Sequence, residues 1–375
     1  MRLYFNIFLL FIGIPVCGQV SFEYSLNVDP KAVITDVYIS EIFEEYSFIE
    51  LETNSESLLG RAYVAEIHGD NLYILDRGGE MGVTVFSLKD GAFISSISHQ
   101  GRGPGEYLFP FDFTVDDNGM IYLIDGSKVH QFDSFGKYIK NYNLDYPADR
   151  IEYFTNDRFA LSASYKAAEV AITNRRFKIL KEHFPYKIFR NGHSNILQSI
   201  SKDCYYLKKN SGEFFRIDEY YTTPFLKISF KGYVPNKEIT DKAIKDLGSI
   251  HLTINNHYEN EIKKKGFYPS DLLINREQMY GKIFHDNDQY ILRYSFISRK
   301  YLLYDINEIK NDISGDKYNF NHFVLTDDNR LICLIEPYRL LKMNKADIDP
   351  VLHKLTKRLK EDDNPILFIG KLKSF

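Results

Sequence analysis

The sequence predicts an all-β chain, a single six-bladed β-propeller with small helical insertions. Three observations predict it. A strand-rich unit recurs along the chain, a glycine-rich corner lies between its first two copies, and aromatic residues reach 15%, with 28 Tyr, 29 Phe and no Trp. Aromatic side chains suit the half-buried surface of a pleated sheet. Several short strands recurring every ~40 to 50 residues are the mark of a propeller blade.

The repeat is clearest around the corner. Asn71-Leu72-Tyr73-Ile74-Leu75-Asp76 aligns with Met120-Ile121-Tyr122-Leu123-Ile124-Asp125, with Leu72 standing 49 positions before Ile121. Val83-Thr84-Val85-Phe86 aligns with Val129-His130-Gln131-Phe132, and the turn and strand from Asp90 to Ile94 align with Phe135 to Ile139. Each unit therefore reads as an apolar strand ending in Asp, an alternating strand, a Gly turn, and a strand that opens on an aromatic residue. Weaker copies of the apolar strand start at Arg158, Cys204, Gln289 and Arg330, each after an Asn/Asp-rich turn, which brings the count to six.

Between the fourth and fifth copies, Ile239, Ala243, Ile244 and Leu247 have helical spacing, and a basic turn or helix follows from Glu259 to Lys265, so a helical insertion is expected near 236–266. A further helix is expected over 347–360, where Ile348, Val351, Leu352, Leu355 and Leu359 form one apolar stripe that packs on the propeller. Phe48-Ile49-Glu50-Leu51 and the run from Ile366 to Leu372 are expected to share the last blade, because a ring opened at one seam exposes two strand edges.

Residues 1–18 read as a signal peptide: Arg2, then an apolar run from Leu3 to Val16 that is too short to span a membrane well. Cleavage before Gln19 gives a soluble exported protein, whereas acylation of Cys17 gives a lipoprotein; both readings place the product in the periplasm or at the cell surface. Residues 19–375 form one domain. Lys and Arg number 47 against 51 Asp and Glu, a net charge of −4 with no basic block, which excludes nucleic acid as a partner and leaves a lipid anchor as the one membrane contact. Cys204 and Cys333 each sit in an apolar run, so no disulfide framework is expected.

The corner itself, Gly101-Arg102-Gly103-Pro104-Gly105-Glu106-Tyr107, fixes a tight loop: glycines permit unusual φ, and Pro104 biases Gly103 away from helix. It is not a phosphate cradle, because no helix pattern follows it. The ten histidines form no HxH or HxxxH pair, and no nucleophile elbow occurs.

Gly91-Ala92-Phe93, the corner, Phe109-Pro110, Val115-Asp116, Gly119, Ile121-Tyr122 and Asp125 resemble the NHL repeat. The corner together with Asp362-Asp363-Asn364-Pro365-Ile366-Leu367 is similar to the Bacteroidetes-type six-bladed propeller family of exported proteins. The resemblance implies NHL-like blades. It also implies that the corner joins the outermost strand of one blade to the innermost strand of the next, on one face with the turns after Asp76 and Asp125.

Arg77, Arg102, Glu106 and Asp125 are then candidate ligand contacts on that face. Arg293, with Tyr294, Phe296, Tyr301 and Tyr304, is a candidate stacking surface, against the alternative that these rings fill the core. The expected ligand is a protein, a glycan or a small molecule, and no catalytic residue or metal ligand is assigned. The alternative function is a lactonase-like, metal-dependent hydrolase or lyase. Some NHL-like and related six-bladed propellers resemble lactonases and lyases that hold a divalent cation on the channel axis; here Asp76, Asp125 and Glu336, at corresponding ends of second strands, would supply the oxygens, and Ca²⁺ would be the cofactor. Against it stands the reading that Asp at a strand end simply accepts turn N–H bonds.

Overall fold

The computed structural model describes residues 21–375, apart from 80, 98, 156, 163–167, 186–195, 201, 209–210, 248–255, 316–320 and 344–347. The described strands form six sheets of four to six strands and one two-stranded pair. Sheets I to VI start from inner strands Ala62–His68, Asp112–Val115, Arg150–Tyr153, Ile196–Ile200, Gly266–Ile274 and Asn321–Leu325. Each inner strand lies beside those of its two neighbours, and the sixth returns to the first, so the sheets close around an axis. The all-β propeller class therefore stands.

Within sheets I to V four strands run outward in chain order as antiparallel meanders, and in sheet V the short strand Val234–Pro235 pairs in parallel on the inner side of Gly266–Phe267. Apolar residues on both faces of the middle strands make the inter-sheet cores. Ile97, Tyr107, Phe113 and Phe132 pack between sheets I and II, and Tyr122, Phe159 and Phe177 between II and III. Cys204 and Cys333 are buried, free thiols.

Sheet VI combines both ends of the chain. Arg330–Ile335 and Ile366–Leu372 follow the inner strand, and Phe43–Glu50 completes the sheet with Phe48 opposite Phe368. Asn364 locks this seam. Its amide donates to the carbonyls of Glu52 (2.7 Å) and Ser57 (2.9 Å), its Oδ1 accepts from Leu59 N–H (2.8 Å), and its own N–H reaches Thr53 Oγ1 (2.9 Å).

The chain before Phe43 straps the periphery, which the repeat did not foretell. Tyr24–Val28 adds in parallel to the outer strand Thr222–Phe230 of sheet IV, and Val33–Ile34 adds to Tyr301–Asp305 of sheet V. Both outer edges are thereby covered, removing backbone groups that would otherwise recruit foreign strands.

Two expectations are corrected. Gln289–Leu292 lies within the third strand of sheet V, Asp288–Ser295; the second strand is Gln278–His285. The misplacement arises because Asp286-Asn287, the turn between these strands, has the same composition as the turns that precede second strands elsewhere. The helix expected over 347–360 is shorter, Pro350–Leu355, capped by Asp349, whose carboxylate accepts from Val351 N–H (2.7 Å) and Leu352 N–H (3.2 Å). Most of its stripe packs: Ile348 and Leu352 are in the core, with Leu355 and Leu359 against it, whereas Val351 is exposed. The insertion near 236–266 forms helices Asn236–Leu247 and Asn256–Lys265. The signal peptide, with Cys17 and Gln19, lies outside the described residues.

The corner joins Phe93–Ile97 of sheet I to Asp112–Val115 of sheet II. Tyr107 N–H bonds to the His99 carbonyl (3.0 Å), Gly101 N–H bonds to the Tyr107 carbonyl (3.1 Å), and the buried Tyr107 hydroxyl donates to the Met81 carbonyl (2.8 Å). Gly105 has φ +83°, and a Cβ there would lie 2.7 Å from the Tyr138 ring, so only glycine fits.

Asn364→Ala is expected to lower unfolding stability by about 2–4 kcal/mol, since it strands one buried N–H and two carbonyls. Denaturant melts of the two proteins check this, and an unchanged midpoint would show that the seam is held by strand pairing alone.

Candidate functional site

Inner strands of a propeller pair with a neighbour on one side only. Their axial edges carry backbone N–H groups that no strand can satisfy, and a buried orphan of this kind is costly. Here the preceding sheet supplies the acceptor from a side chain. Glu66 of sheet I accepts from Val115 N–H of sheet II (3.1 Å), and Asp112 of sheet II accepts from Ile151 N–H of sheet III (3.0 Å). Glu152 of sheet III accepts from Ser199 N–H of sheet IV (2.7 Å), and Gln198 of sheet IV both accepts from Ile274 N–H (3.1 Å) and donates to its carbonyl (2.9 Å). Asn275, just after the inner strand of sheet V, donates to the Thr326 carbonyl beside sheet VI (2.8 Å).

Glu66, Asp112, Glu152 and Gln198 line an axial cavity of about 1410 Å³. Burial is the main cause that raises all three carboxyl groups. For Glu66 the nearby charges of Glu152 and Asp112 add to it and hold the group well above the usual carboxylate range. Glu152 is pushed up to about 7 by burial, against the bonds from Ser199 and with help from Asp112. Asp112 is raised less, because Arg150, 3.6 Å away, and Ile151 N–H favour its charged form.

The loop-rich end of the cavity differs from its interior. Inner strands begin there and second strands end there. The Arg77 guanidinium lies 3.5 Å from the Tyr63 ring centroid and donates through Nε to the Pro110 carbonyl (2.9 Å) and through Nη2 to that of Phe111. Arg150 approaches the same ring at 5.7 Å. Tyr63, Arg61, Arg150, Tyr268, Tyr338 and Arg339 all line the cavity.

The candidate residues read from the sequence separate on inspection. Arg102 is exposed at the tip of the corner. Glu106 folds back to accept from Gly103 N–H (2.6 Å), so it braces the turn. Asp125 accepts from Leu108 N–H (3.0 Å) and Phe109 N–H (3.4 Å), tying the corner to sheet II. Arg77 is held among carbonyls and rings at the mouth. Arg293 is 1% exposed and so is no surface contact: it donates to Gln278 (3.0 Å) and to the Lys373 carbonyl (2.6 Å), beneath Phe375. Tyr294, Phe296 and Tyr304 are core residues, which corrects the stacking surface.

The set of channel oxygens is also corrected. Asp76 is buried and accepts from the N–H groups of Gly60 (2.8 Å), Arg61 (2.6 Å) and Gly78 (2.8 Å). Asp76 and Asp125 thus follow turn chemistry, and of the three only Glu336 lines the cavity. Among the described residues, no three His, Cys, Asp or Glu side chains are grouped to hold a metal ion. The channel carboxylates escaped sequence reading because the inner strands lack the aligned pattern of the second strands.

The raised carboxyl groups fix a sign for pH dependence. Their folded pKa lies above the unfolded value, so the folded protein binds more protons and loses stability as pH rises from the ordinary glutamate range through about 7. Unfolding stability is expected to fall from pH 6 to pH 8.5, with Glu152 contributing on the order of 1–2 kcal/mol. Glu152→Gln keeps an acceptor for Ser199 and should flatten that fall. Denaturant melts at the two pH values check this, and an equal slope in the variant would refute the assignment.

A protein of Bacteroides fragilis, named as a predicted exported protein, is similar in structure, with TM-score 0.78 at 20% identity over 93% of this chain and 100% of that one. A member of the DUF4221 family from Bacteroides vulgatus is similar at TM-score 0.51 and 12% identity, over 88% of this chain and 97% of that one. No curated protein matches the chain. Residues 24–371 match the profile of the domain of unknown function DUF4934, and the chain belongs to that family.

Proposed function

We propose that this protein is an exported, non-catalytic binding protein that recognises a ligand or protein partner on its loop-rich face, around the mouth of the axial cavity. The single observation that carries this reading is a large cavity whose interior carboxylates are engaged in stitching the sheets, while cationic and aromatic side chains line its mouth. The six sheets are taken as six blades, NHL-like on the strength of the corner motif. Export is supported by the signal-peptide reading of residues 1–18 and by the name of the Bacteroides fragilis neighbour. Periplasmic or cell-surface residence, with or without a lipid on Cys17, follows from that reading.

Of the candidate contacts, Arg102 is the one we assign to direct contact, because it is exposed and rides on a rigid turn. Glu106 and Asp125 set the position of that turn, and Arg77 sets the position of Tyr63. The metal-dependent hydrolase reading has no observation in its favour, since its ligand set is not assembled.

The face is testable. A partner captured on the immobilised full chain should be lost, by about tenfold or more in affinity, when Arg61→Ala and Arg102→Ala are combined. Phe135→Ser should have no effect, because Phe135 is 80% exposed on a turn at the opposite end of the sheets. Loss in the Phe135 variant with unchanged binding in the arginine variant would reverse the assignment.

A further inference from the structure

The mouth of the cavity is specific enough in its chemistry to name a ligand class, an inference that rests on the binding function proposed above. Arg61, Arg150 and Arg339 line it together with Tyr63, Tyr268 and Tyr338. The topology places these six at one end: Arg61 and Tyr63 flank the start of the inner strand of sheet I, Arg150 opens that of sheet III, Tyr268 lies near the start of that of sheet V, and Tyr338 and Arg339 follow the second strand of sheet VI. Three guanidinium groups are thus gathered around one opening of a chain of net charge −4. Carboxylates meet them too: Asp112 and Asp149 act on Arg150, and Glu336 is raised by burial against the pull of Arg339.

The tyrosines are fixed as well as gathered. Tyr63 is held under Arg77, Tyr268 stacks on Phe284 with centroids 5.1 Å apart and planes at 7°, and the Tyr338 hydroxyl accepts from Arg339 Nε at 2.8 Å. Rigid amphipathic rings beside guanidinium forks bind flat, hydroxyl-rich rings that bear an oxyanion, the rings stacking and the forks taking the carboxylate or sulfate. The cavity, at about 1410 Å³, exceeds the usual pocket for one small molecule and has room for several linked rings. Glu66 and Glu152 line the cavity deeper on the axis, where they accept from the Val115 and Ser199 N–H groups.

We infer that the mouth binds an acidic oligosaccharide, a short chain of sugars carrying carboxylate or sulfate groups, gripped by Arg61, Arg150 and Arg339 against Tyr63, Tyr268 and Tyr338. A glycan array holding neutral, uronate-bearing and sulfated oligosaccharides, probed with the full chain, tests it. The expected result is binding to acidic glycans alone, weakened at 0.5 M salt as charge screening requires. Arg61→Gln, a change at an exposed side chain that should leave the melting temperature unaltered, should weaken that binding about tenfold. Tyr338→Ser should also weaken it. Equal binding of neutral glycans, no binding of any acidic glycan, or acidic binding indifferent to both variants would each overturn the inference. In the second case, a partner of another class that is still lost with Arg61→Ala and Arg102→Ala would keep the binding function on this face and end only the assignment of its ligand.

Discussion

The structure depends on how its inner strands settle the backbone groups that face the axis. A sheet closed into a ring of sheets does not close as a barrel does, since neighbouring inner strands splay and leave N–H groups pointing at the channel. Glu66, Asp112, Glu152, Gln198 and Asn275 each reach from one sheet to the backbone of the next or to the loop beside it. The same bonds fix the angular order of the sheets and draw three carboxyl groups into one enclosed space. The acidity of the interior is thus a by-product of the stitching, and the raised carboxyl groups are its electrostatic consequence.

The ring also has to be sealed where the chain ends meet. Pairing of Phe43–Glu50 with Ile366–Leu372 does this in sheet VI, and Asn364 brings the loop that precedes sheet I into the same seam. Arg293 is part of the same economy at the opposite end of the sheets. Its guanidinium, placed in the core, is held by Gln278 and the Lys373 carbonyl, with the Phe375 ring over it. Its Nε has no hydrogen-bond partner among the described residues, so the cost of enclosing the cation is offset through the Nη2 bonds and the ring contact. The last residues of the chain therefore act as a cover for the core.

Much of the fold was legible because the second strands, buried on both faces, must be continuous apolar runs, and runs such as Leu72–Leu75 and Ile121–Ile124 stand out at their spacing. The seam was legible for the same reason. The strap was not: Val33–Ile34 pairs over two residues, too few to show a period. Gln289–Leu292 was assigned to the wrong strand because Asp286-Asn287 imitates the turn before a second strand. Asp125 could be read as a turn acceptor from its place at a strand end. Arg293 could not be read as buried, because nothing local announces that Gln278 and the C-terminal segment will surround it. The channel carboxylates share that difficulty: Glu66 owes its role to Val115, a residue of another sheet.

Polar groups at this end differ in how much of their bonding capacity is already used. Arg77 and Arg61 are near neighbours at the same mouth, yet Arg77 spends its donors on the Pro110 and Phe111 carbonyls and its face on Tyr63. Arg61 is bound through its backbone N–H to Asp76, which leaves its exposed side chain to the solvent side. The corner shows the same division: Glu106 is consumed by Gly103 N–H, while Arg102 projects from the turn that Glu106 braces. A rigid frame of satisfied groups holding a few open ones is what preorganised recognition requires, since little side-chain freedom is left to lose when a ligand arrives. The polar groups of the channel interior are accordingly occupied by the fold itself, and the open ones at the mouth are those our proposal assigns to binding.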